Sequence, residues 1–115
     1  MLRPLLLAIA VLAFAVPTAA ADERSAASTV VIKITVVNGR PVGGINRTTV
    51  KKGQTVRFVI RTNAGSEIHL HGYDIERTPR KGVPTVMQFV ARVPGRFALE
   101  LHDPDALLAQ LTVRP

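Results

Sequence analysis

The chain has 115 residues, no cysteine, no tryptophan, one tyrosine and a formal net charge of +7. Without cysteine it has no disulfide, no thiolate ligand and no attachment point for a lipoprotein anchor, so its domain must hold together by packing alone. With so little aromatic surface for base stacking, and basic residues scattered mostly singly, nucleic-acid binding is excluded as a reading; such a surface attracts anionic polymers only nonspecifically.

The first 21 residues have the order of a secretory signal peptide. Arg3 supplies a positive lead, residues 5–16 form an apolar run of 12, and Ala19, Ala20 and Ala21 precede Asp22. A membrane-spanning anchor needs about 20 apolar residues, which this run does not reach. Cleavage is expected after Ala21, leaving 94 of the 115 residues, a charge of +6 once Arg3 is lost, and no transmembrane segment. The expected destination is periplasmic or secreted. Residues 22–28 are small and polar and read as a flexible lead. Residues 29–115 are enough for one domain with its own core.

From Thr29 the pattern has period two. Val30, Ile32, Ile34 and Val36 share one face, and Asn38-Gly39 breaks the strand. Residues 41–46 read as a loop around Gly43-Gly44, and residues 48–50 as a short extended piece turned by Lys52-Gly53. Residues 55–61 alternate with Val56, Phe58 and Ile60 inward. A turn around Gly65 leads into Glu67-Ile68-His69-Leu70-His71-Gly72-Tyr73-Asp74, the chemically densest stretch. Residues 75–78 and 85–91 read as further strands, with Met87 filling core. After Pro94-Gly95, residues 96–102 place Phe97, Leu99 and Leu101 on one face and Ala98, Glu100 and His102 on the other. Residues 107–113 close the domain, with one helical turn expected over residues 105–109. Seven or eight short strands separated by Gly/Pro turns predict a small all-β sandwich.

No nucleophile elbow or phosphate loop is present, and carboxylate pairs lack the aromatic platform expected of a sugar site. No catalytic residue is assigned, and an enzyme is not expected. The histidines remain. In a strand, residues i and i+2 share a face, so His69 and His71 stand side by side while Ile68 and Leu70 enter the core. His102 ends another strand, and if the strands are neighbours ending at one pole the three imidazoles converge. Three neutral imidazoles suit Cu(II) or Zn(II), with Glu100 as a further ligand or as an acceptor that orients a ring. The plainer alternative is a half-exposed strand face whose histidines hydrogen-bond Glu67, Asp74 or Glu100.

Val50-x-x-Gly53-x-x-Val56-x-Phe58-x-Ile60, the histidine segment, Phe89-x-x-x-x-Pro94-Gly95-x-Phe97-x-Leu99 and Leu111-Thr112-Val113 together resemble the cupredoxin-like family, over Val30 to Val113. The resemblance implies a secreted Greek-key β-sandwich with a copper site at one end. His69-Leu70-His71-Gly72 is similar to the HxHG element of multicopper oxidases. The departures decide what carries over. Leu101 stands where blue-copper members have their cysteine, His102 follows it, and no methionine comes after Met87. A type 1 copper centre is therefore excluded, and three histidines are too few for a multicopper cluster. The family's ligand role transfers to His69 alone; His71 and His102 come from the strand-face argument. The expectation is an exported protein binding copper through His69, His71 and His102 for metal handling, with zinc ranked behind copper. The alternative is a metal-free interaction module with a protein partner in the cell envelope.

Overall fold

Alternating β-branched and polar residues build most of the strands, and Gly or Pro punctuates them. In the computed structural model, which describes residues 2, 4, 5, 8–17 and 28–115, nine strands follow one another. They are β1 (Val30–Val37), β2 (Arg40–Pro41), β3 (Asn46–Lys51), β4 (Thr55–Thr62), β5 (Glu67–Leu70), β6 (Ile75–Arg77), β7 (Thr85–Val90), β8 (Gly95–His102) and β9 (Ala106–Arg114). They form two mixed sheets, ordered β2-β1-β4-β7 and β3-β9-β8-β5-β6. Two parallel pairs, β1 with β4 and β3 with β9, mark the long crossovers of the expected Greek-key sandwich.

The inward faces are those that the alternation marks. Val56, Phe58 and Ile60 of β4 are wholly buried beside the inward Ile32, Ile34 and Val36 of β1 in the same sheet, and Ile68 and Leu70 of β5 with Leu99 and Leu101 of β8, also wholly buried, face them from the other sheet. Met87 on β7 is also fully buried, as the core-filling reading expects.

Two expectations need correction. The count is nine strands, because Arg40 and Pro41, the latter the first residue of the segment read as a loop, pair with β1 as β2. The helical turn over residues 105–109 does not form. Residues 106–109 begin β9, which pairs with β8 on one side and β3 on the other. The register between β8 and β9 shifts at Leu99/Glu100, leaving Leu108 as an extra residue, so Leu108 and Ala109 are buried in succession. That bulge hid the start of the strand by interrupting its alternation.

Residues 2, 4, 5 and 8–17 add nothing to the core: Leu12 and Phe14 are 74% and 85% exposed. Among the described residues no helix is long and apolar enough to cross a membrane. The expected cleavage point after Ala21 lies outside the described residues, as does the lead up to Ala27.

Candidate metal centre

The three histidines meet on the outer face of the five-stranded sheet. β5 pairs with β8 antiparallel, so Glu67 lies opposite His102 and His69 opposite Glu100. Ile68 and Leu70 point into the core, which turns Glu67 and His69 outward; Leu99 and Leu101 do the same for Glu100 and His102. The chain keeps strand register one residue past β5, where the His71 N–H donates to the Ala98 carbonyl at 2.9 Å. His71 therefore joins His69 on that face.

The expectation that the histidine-bearing strand ends share one pole is not met. Antiparallel pairing sends the C-terminal ends of β5 and β8 in opposite directions. The rings converge because β5 has only four residues, and His71 and His102 reach along the sheet toward the central His69. Ring centroids are 4.2 Å apart for His69 and His71, 6.2 Å for His69 and His102, and 6.5 Å for His71 and His102. One nitrogen from each ring lies within 4.8 Å of the others. Metal–nitrogen bonds near 2 Å allow about 4 Å across a single ion, so small side-chain rotations close the set. His71, with its side chain 46% exposed, has room for them, whereas His69 is held at 16%.

Each imidazole has a carboxylate beside it. His71 Nε2 is 2.8 Å from Glu100 Oε2, and His102 Nδ1 is 3.1 Å from Asp105 Oδ1. With an ionised carboxylate as acceptor, the facing nitrogen carries the hydrogen, which leaves the lone pair on His71 Nδ1 and on His102 Nε2. His69 Nε2 lies 3.9 Å from Asp74 Oδ1 and 3.8 Å from Glu76 Oε1, too far for a hydrogen bond but close enough to feel their charge. Glu100 thus sits as an acceptor that orients His71 and is not one of the three converging donors.

Two of these partners were not singled out from the sequence. Asp105 follows His102 by three residues across a tight turn. Glu76 faces His69 because the four-residue turn 71–74 pairs Leu70 with Ile75 and His69 with Glu76. Counting outward from that turn would have found it. Glu67 lies beside His102 in register but makes no hydrogen bond to it.

The turn after β5 is built for close approach. Gly72 has φ +85°, and a Cβ there would collide with the Phe97 ring at Cδ1. Only glycine fits both the left-handed backbone and that contact. Tyr73 then packs its ring against Phe89 and Phe97 at 4.8 and 4.7 Å, while its hydroxyl donates to the Val93 carbonyl and accepts from the Val93 N–H. The glycine of the HxHG run therefore anchors the turn that carries His71.

No protein-family model matches this chain, and no curated protein matches it in sequence. Solved structures do match in shape. One is a copper binding protein in its apo form, with TM-score 0.58 and 15% identity, covering 75% of this chain and 88% of that one. Another is the metal binding domain of the Cu(I) exporting P-type ATPase CopA of Streptococcus pneumoniae D39, solved with Cu(I), with TM-score 0.57 and 15% identity, covering 77% and 98%. A chain of a heme-copper terminal oxidase dimer matches with TM-score 0.56 and 14% identity, covering 74% of this chain and 65% of that one. At such identities the likeness speaks for architecture, and together with the strand order it makes this chain a cupredoxin-like Greek-key β-sandwich.

Proposed function

We propose that the chain is an exported copper-binding protein whose His69, His71 and His102 hold the ion for storage, delivery or resistance, without enzymatic activity and without blue-copper electron transfer. The carrying observation is the convergence of all three histidines of the chain on one patch, each offering a nitrogen within 4.8 Å of the others. Three imidazoles match the preference of borderline divalent ions, copper ahead of zinc in the usual affinity order. The absence of cysteine removes the thiolate that type 1 copper requires. Copper-binding proteins among the structural neighbours add support. The leader's composition and the exposure of its described residues support export to the periplasm or outside the cell.

Titration of the purified protein with Cu(II), repeated on His71→Ala, tests the reading. Stoichiometric binding that weakens by tenfold or more in the variant is expected, the scale on which disturbing ligands or their supports costs affinity. Binding no stronger than that of a variant lacking all three histidines would remove the reading.

A second reading is favoured by the His71–Glu100 and His102–Asp105 hydrogen bonds, which satisfy two imidazoles without any ion. Under it the domain is a metal-free interaction module with an envelope protein as partner. Its signature is a melting temperature indifferent to added copper or zinc.

A further inference from the structure

The described residues contain six carboxylates: Glu67, Asp74, Glu76, Glu100, Asp103 and Asp105. All six lie on β5, β6 and β8 or in the turns that follow β5 and β8. A chain with a net charge of +7 thus places the acidic side chains of its described residues around three imidazole rings. Their ion-pair contacts among the described residues are to the imidazoles, and no lysine or arginine neutralises them. Among the described residues sulfur, by contrast, is out of reach. Met87 is fully buried on β7, in the sheet across the core from the histidines, and cysteine is absent.

From these two facts we infer that the site takes copper as Cu(II) and discriminates against Cu(I). The inference rests on the copper-binding reading and names the oxidation state of the cargo. Soft thioether and thiolate donors are what favour Cu(I), and the patch has none; imidazole nitrogens with oxygen groups around them favour the divalent ion. The carboxylate collar acts in the same direction, because each negative charge attracts a doubly charged ion twice as strongly as a singly charged one. The collar also draws cations toward one face of an otherwise basic molecule. Glu100 and Asp105 hold His71 and His102 in the tautomers that present lone pairs, and Asp74 and Glu76 contribute mainly charge beside His69.

The experiment compares affinities for the two ions in the same protein, using a Cu(II) chelator in one arm and a Cu(I)-specific chelator under anaerobic reduction in the other. Cu(II) binding at least about tenfold tighter is expected from donor type and charge. Glu76→Gln removes charge and no donor. It should lower Cu(II) affinity by roughly fourfold more than Cu(I) affinity, since one charge about 5 Å away in water acts on that scale per unit of metal charge. Met87→Leu, which preserves core volume, should change neither affinity. Cu(I) binding as tight as Cu(II), or Cu(I) binding lost in Met87→Leu, overturns the inference while leaving copper binding intact. Failure of both ions to bind sinks the copper-binding reading itself.

Discussion

At the scale of single residues, the histidine patch depends on groups that do not touch the proposed ion. Glu100 fixes the ring of His71 through one hydrogen bond, so Glu100→Gln should weaken Cu(II) binding by about tenfold or more while leaving the fold intact. Near-ultraviolet circular dichroism and a chelator-competition titration on the same sample separate the two effects. Gly72 is the backbone counterpart. Gly72→Ala must hold a side chain at φ +85° against the Phe97 ring, and should cost about 1–3 kcal/mol in urea unfolding. A neutral outcome there would mean that the turn can repack and that His71 is less firmly held than its contacts suggest. Protons compete with metal for imidazole lone pairs, so affinity should fall as the solution is acidified, and a pH series of the same titration shows it. The pairing of His69 with His71 was legible in the sequence because an i, i+2 spacing on a strand permits no other arrangement. Asp105 was not, since its approach to His102 depends on the path of a turn.

At the scale of elements, legibility followed the cleanness of the alternation. β1 and β4 bury every second residue, and their inward faces could be read directly. β9 has its alternation interrupted by the bulge opposite Leu99 and Glu100, and so its start read as a helical turn. The meeting of the histidines was only half legible. Strand direction is invisible in a local pattern, and antiparallel pairing of β5 with β8 put their ends at opposite poles. The shortness of β5, which Gly65 and Gly72 bound, is what let the rings meet across the face. The two faces of β8 make a test at this scale. Leu101→Ala should cost about 2–5 kcal/mol in chemical denaturation because its side chain is wholly buried. Glu100→Gln, next to it on the opposite face, should stay near 0.5 kcal/mol without metal, as substitutions outside the core usually do.

At the scale of the whole molecule, the sandwich separates stability from chemistry. One side of each sheet supplies a cysteine-free core, and the outer face of the five-stranded sheet gathers the histidines and the described carboxylates. The opposite outer face bears Lys33, Arg57 and Arg61 among partly exposed valines, with no carboxylate. Binding at a patch that exists only in the folded state must stabilise that state, by about 2.7 kcal/mol at a free-ion concentration 100 times the dissociation constant. The most direct test is pulsed electron paramagnetic resonance of the protein loaded with stoichiometric Cu(II). Nitrogen couplings from three imidazoles, reduced to two in His102→Ala, are the predicted result. A spectrum with fewer than three imidazoles in the unaltered protein, or one unchanged in that variant, would contradict the account.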